Sequence, residues 1–145
     1  MTKPSHGRVK IVLDTNILVS ALLTKGTPPD HLYRAWESGR FDLVTSSRQI
    51  VELRRVLGYE KLQAYIKPIE AALLLENMDS MAHMAEVSAP RNESSDPDDN
   101  WILATAVTGK ANFLVTGDQH HLLALGRVEG VLIVTAREAM NSLPP

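Results

Sequence analysis

The chain contains no cysteine among its 145 residues. Disulfides and thiolate zinc sites are therefore excluded, and the absence agrees with a reducing, cytoplasmic setting. Aromatic residues are scarce, with two Trp, three Tyr and two Phe. Trp36 and Trp101 are expected in the core or at an interface rather than as base-stacking platforms. No apolar run approaches the roughly 18 residues that a membrane helix needs, and the polar stretch Met1 to Arg8 has no signal-peptide apolar region. The chain also lacks the basic excess usual in general nucleic-acid binders, because its formal net charge is −2. Three functional templates are missing as well. There is no Gly-x-Ser-x-Gly nucleophile elbow, no phosphate-cradling Gly-x-x-x-x-Gly-Lys-Ser/Thr, and no Gly-x-Gly-x-x-Gly after the first strand.

What is present is ordinary globular material, 44% hydrophobic and 22% charged. Residues 1–8 read as a flexible tail and residues 9–143 as one domain with a real core. Val9 to Leu13 is a short, continuously apolar, β-branched run, as in a buried parallel strand. Helical patterns follow from Ile17 to Leu22 and from about Asp30 to Ser38, the latter burying Leu32, Ala35 and Trp36. Phe41 to Val44 predicts a second strand. Ser46 with Gln49 predicts a capping box ahead of Ile50, Leu53, Val56 and Leu57. A helix around Ile69 to Met84 would bury Ala72, Leu73, Met78 and Met81. Ala85 to Val87 suggests a brief strand. A helix over Asp98 to Thr108, a strand over Asn112 to Val115, a short helix from Asp118 and a strand over Val131 to Val134 complete the series. Thr135 with Glu138 caps a final helix. Such alternation implies a parallel sheet covered on both faces.

Four acids stand out against this pattern. Asp14 and Asp118 each close a strand-like run, and open α/β sheets bind ligands at the carboxyl ends of their strands. Glu52 lies in an apolar helical pattern, with Arg48 and Arg55 at i−4 and i+3 on the same face. Asp99 opens a helix, with Ile102, Leu103 and Ala106 at i+3, i+4 and i+7, so it faces inward. Asp96 and Asp98 beside it are secondary ligands, caps or solvated groups. Each acid also has a plainer reading. Asp14-Thr15-Asn16 and Thr116-Gly117-Asp118 would both cap helices, and Arg48, Glu52 and Arg55 would make a surface ion-pair ladder. Drawn together, the four carboxylates would repel unless a cation neutralised them. Oxygen donors without thiolate suit Mg²⁺ or Mn²⁺ better than zinc. His120 and His121 point about 100° apart on a helix and are expected at the surface rather than on a metal.

The order of four segments resembles the PIN-domain ribonucleases, specifically the VapC-like toxin branch. Ile11-Val12-Leu13-Asp14-Thr15-Asn16 is similar to the family's opening strand, first acid and polar pair. Ile50-Val51-Glu52-Leu53 is similar to its helix-borne Glu. Asp99-Asn100-Trp101-Ile102-Leu103-Ala104 and Leu114-Val115-Thr116-Gly117-Asp118 are similar to its third and fourth motifs. The resemblance runs from about Val9 to Met140. It implies a three-layer α/β/α domain around a parallel sheet of about five strands. It implies Mg²⁺- or Mn²⁺-dependent hydrolysis of RNA, with Asp14, Glu52, Asp99 and Asp118 catalytic and metal-holding. Thr15, Asn16 and Thr116 would support them, and Arg48, Arg54 or Arg55 would hold the RNA backbone. It further implies an antitoxin partner and a homodimer.

Two other readings compete. A phosphatase of the haloacid-dehalogenase type also starts with a strand and an Asp, but it needs a second acid where this chain has Asn16. An inert PIN-like domain binding RNA or protein would keep the acids without using them.

Overall fold

A computed structural model describes residues 7–118 and 120–144. The part of the expected tail from Met1 to His6 lies outside them. Strand β1 (Lys10–Leu13) leads into helix α1 (Thr15–Leu23) and then α2 (Pro28–Glu37). Next come β2 (Asp42–Thr45), α3 (Ser47–Leu57), α4 (Glu60–Gln63), α5 (Pro68–Met81) and the two-residue β3 (His83–Met84). The second half holds α6 (Pro97–Thr108), β4 (Phe113–Val115), α7 (Leu122–Leu125), β5 (Arg127–Val128), β6 (Val131–Val134) and α8 (Ala136–Ser142).

The strands form one sheet in the order β3-β2-β1-β4-β6-β5. Five strands run parallel, as the family resemblance implies, and β5 is added antiparallel to β6 at one edge. Successive side chains of β1 point to opposite faces. Ile11 and Leu13 join a core built with α1, α2, α3, α5 and α8. Val12 joins a second core, which α6 and α7 supply through Ile102, Leu103, Ala106 and Leu122. This makes the three layers. Each of the fully buried leucines contributes about 1.5–3 kcal/mol, and they occur on both faces, with Leu13, Leu18 and Leu53 on one and Leu103, Leu114 and Leu122 on the other. Gly109 ends α6 where a Cβ would stand 2.5 Å from Cγ1 of the buried Val44, so only glycine lets this helix end lie so close to β2.

Local expectations fare unevenly. Thr135 and Glu138 form the full capping box on α8. Ser46 accepts the Gln49 N–H at 3.2 Å, but the Gln49 side chain turns into the core and the box stays half-made. In α5 the buried positions are Leu74 and Met78, whereas Ala72 and Leu73 are exposed. The run Leu73-Leu74-Leu75 gives no unique apolar face, so its phase is set by contact with α3. The brief strand expected at Ala85 to Val87 forms at His83–Met84 instead, where pairing to Val44 and Thr45 is available.

The order of the sheet fixes where a ligand would sit. From β1 the chain moves outward to β2 and β3 on one side, and β4 and β6 lie on the other. The β1/β4 boundary is thus a topological switch point, where a crevice opens beyond the carboxyl ends of the strands. Asp14 follows β1 and Asp118 follows β4 at this boundary.

Candidate active site

Asp14 stands at the centre of that crevice. Its backbone N–H donates to Val115 O at 2.9 Å, extending the β1–β4 ladder by one residue. Its Oδ2 accepts the Thr116 hydroxyl at 2.8 Å. Thr116 is fully buried, and its Oγ1 in turn accepts the Asp118 N–H at 3.1 Å. One hydroxyl thereby links the two strand-end aspartates.

Glu52 arrives from α3. Its Oε1 accepts a short hydrogen bond from the hydroxyl of the buried Thr15. Gln49, one turn earlier, donates from Nε2 to Leu13 O at 2.6 Å and accepts from Thr45 Oγ1 at 2.7 Å. These two bonds pin α3 to β1 and β2 and so fix the depth of Glu52. Gln49 is read in the sequence only as a helix cap, and this tethering role has no sequence signal. The ion-pair ladder does not form. Arg48 lies over the Trp101 ring, with its guanidinium carbon 4.1 Å from the centroid. Arg55 donates to the Tyr59 hydroxyl at 2.6 Å.

Asp99 enters from α6 as the helix phase implies, and is 9% exposed. Its Oδ2 accepts the Ser94 hydroxyl at 3.2 Å. Asn100 holds the preceding loop through two bonds with the Ser94 backbone, at 2.8 and 2.9 Å. Asp96 caps α6 by accepting the Asp98 N–H at 2.9 Å. Asp98 is exposed at the rim.

Asp14, Glu52, Asp96, Asp98, Asp99 and Asp118 line one open groove of about 600 Å³, with Thr15, Asn16 and Arg55 beside them. Arg48 lines an adjoining pocket with Trp101. Arg54 is exposed and lines neither, because two residues of helix turn it away from Glu52.

Charge is unbalanced here. Burial, aided by the charges of Glu52 and Asp118 and opposed by the Thr116 hydrogen bond, pushes Asp14 up to about 6. Burial also pushes Asp99 to about 6, with Asp96, Asp118 and Asp14 adding repulsion against the Ser94 bond. Asp118 goes the other way. Burial alone would raise it, but the His121 and His120 backbone N–H groups and the His121 ring together hold it below the usual range. Among the described residues, no Lys or Arg makes an ion pair with any carboxylate of the groove.

His121 is the residue that sequence reasoning set aside. It is at the surface, as expected, yet its Nδ1 lies 3.2 Å from Asp118 Oδ2. One ligand atom each from Asp99, Asp118 and His121 fall within 4.8 Å of one another, a group able to hold a metal ion. Carboxylates in this number, short of protein cations, fit a divalent ion bound through oxygen, and one imidazole admits a transition metal such as Mn²⁺.

The fold and site define an α/β protein with an acidic, cation-seeking crevice at the switch point of a parallel sheet. A family model described as PIN domain matches residues 10–120, and the chain belongs to the PIN-domain family. No curated protein matches the chain significantly. Among the described residues, no helix is long and apolar enough to cross a membrane.

Proposed function

We propose that this protein is a Mg²⁺- or Mn²⁺-dependent endoribonuclease, the toxin of a toxin–antitoxin pair in the VapC-like branch, acting in the cytoplasm as a homodimer. The nuclease reading is carried by one observation. Four acids from β1, α3, α6 and the β4 end line a single groove, and burial together with their mutual repulsion raises two of them to about 6. Residues 9–143 would form the nuclease unit. Asp14, Glu52, Asp99 and Asp118 would hold the cation, with His121 able to share it and Asp96 and Asp98 at its margin. Bound there, the cation would supply an acidified water and charge neutralisation at the scissile phosphate.

The other side chains prepare that arrangement. The Thr116 hydroxyl orients Asp14 and fixes the backbone of Asp118. The Thr15 hydroxyl orients Glu52. Asn16 is exposed at the groove edge, within reach of an RNA backbone. Arg55, whose present partner is the neutral Tyr59 hydroxyl, keeps its charge for a phosphate at the same edge. An antitoxin would act by covering the groove.

The test is cleavage of a mixed RNA pool by purified protein with Mn²⁺, Mg²⁺ or EDTA, beside Asp14→Asn. Cutting that needs the metal and vanishes in the variant is expected. Equal cutting by Asp14→Asn, or cutting in EDTA, would overturn the reading.

A further inference from the structure

Trp101 belongs to neither hydrophobic core. It sits half-buried in the second turn of α6, and Arg48 from the first turn of α3 covers its ring. Among the described residues, no carboxylate pairs with Arg48. The indole is what holds this guanidinium in place. Between the two helices lies a narrow cleft of about 30 Å³, filled by the stacked pair itself, that shares Glu52, Asp98 and Ile102 with the acidic groove. Whatever enters it is a direct neighbour of the carboxylates.

We propose that the Arg48–Trp101 pair is a stacking site for one unpaired base of an RNA strand lying in the groove. The base takes the guanidinium's place on the indole, and Arg48 swings onto an adjoining phosphate. The proposal rests on the ribonuclease reading of the groove. It names what that reading leaves open, namely how an acidic groove grips a polyanion. A cation–π contact at an exposed site is weaker than the stacking of a base on an aromatic ring, so the exchange is favourable. Arginine freed from the ring presents a fork suited to phosphate. The ligand is a single strand, because only an unstacked base can turn its face to the ring. Stacking is tolerant of sequence, so the site positions a strand rather than reading it.

Tryptophan fluorescence provides the test, since Trp36 is 3% exposed in the core and only Trp101 can meet RNA. Binding is followed with Mg²⁺ on the Asp14→Asn protein, which leaves the strand intact. A mixed-sequence single-stranded RNA nonamer is expected to quench the emission. Adding Trp101→Leu should abolish the quench and weaken binding by roughly five- to a hundredfold, and Trp101→Phe should restore most of the affinity. A nonamer of abasic ribose phosphates should bind both proteins alike. Equal affinity of the base-bearing strand for the proteins with and without Trp101→Leu, at matched thermal stability, would overturn the stacking site. If wild-type protein cuts RNA and that equality holds, the ribonuclease reading survives alone. If no RNA is cut but the Trp101-dependent quench persists, the stacking site survives alone. Neither quench nor binding would overturn both.

Discussion

Asp14 and Asp30 are the same side chain at the same kind of place, a helix start, and both are drawn largely out of solvent. They ionise in opposite directions. Burial works against Asp30, which is only 2% exposed. It nevertheless receives the Gly26 N–H at 2.8 Å and the Arg34 guanidinium at 3.2 Å, with Lys25 nearby, and these hold it below the usual carboxylate range. Asp14 has the Thr116 hydroxyl and the Thr15 backbone N–H, but its charged neighbours are Glu52 and Asp118, and it rises to about 6. Burial weighs on both and more heavily on Asp14. What Asp30 has besides is a cation, Arg34, among its partners. The fold balances its structural carboxylate internally and leaves the groove in deficit.

The sharpest way to break this contrast is activity. Asp14→Asn should lower single-turnover RNA cleavage by about a thousandfold, the rate equivalent of several kcal/mol of lost charge stabilisation. Asp30→Asn should leave cleavage by the folded protein unchanged. A comparable loss in both would show that Asp14 matters only to folding.

Stability should separate the pair by sign. In EDTA at pH 7, Asp14→Asn removes a buried charge and the repulsion it meets, and should stabilise the protein by about 1–3 kcal/mol. Asp30→Asn removes a buried carboxylate that the Gly26 N–H and the exposed Arg34 satisfy, and should destabilise by about 1–3 kcal/mol. Denaturant unfolding of both variants measures this, and Mn²⁺ should stabilise wild type more than Asp14→Asn.

The pH dependence sharpens the same point. Asp14 and Asp99 titrate near 6 in the folded protein against 3.8 for the unperturbed carboxyl. Between those values the native state binds more protons than the unfolded one, so both groups cost stability progressively as pH rises from about 4 to 6. The stability advantage of Asp14→Asn over metal-free wild type should therefore be near zero at pH 4, grow through that window and level off above it. Asp30 has a lowered folded value, so its contribution is present above the unfolded value and is lost as pH falls. A flat difference curve for Asp14→Asn would remove charge deficit as the cause.

The smallest effect concerns orientation. Thr116→Val deletes the hydroxyl shared by Asp14 and Asp118 and should slow cleavage by about tenfold. The same change should push the Asp14 carboxyl further up, which carbon-detected NMR titration would register.

Much of this was legible because parallel sheets put function at strand ends. Asp14 and Asp118 follow apolar runs, and the phase of Ile102, Leu103 and Ala106 turns Asp99 inward. Glu52 is less so. On its helix it has the look of a salt-bridged surface residue, and what draws it in is a tether made by Gln49 to Leu13 O across 36 residues of chain. Long-range hydrogen bonds of that kind leave no periodic trace. His121 was hidden for another reason. Helix α7 begins only at Leu122, so helical spacing misplaces the His121 ring, whereas the turn formed on Asp118 Oδ1 brings it back to Oδ2. The Ser94–Asn100 clamp behind Asp99 is loop chemistry of the same illegible sort, and β5 is a two-residue edge too short to carry a pattern.

The position of β4 has a consequence for the protein's life before it is finished. This strand lies in the middle of the sheet, between β1 and β6, yet it belongs to the last third of the chain. The bond from Thr116 to Asp14 closes over 102 residues. A growing polypeptide thus carries five of the six groove acids, all but Asp118, ahead of the strand that completes their floor. The groove is completed only when β4 docks beside β1, so on the ribonuclease reading proposed above the half-made chain would lack the site that cuts RNA.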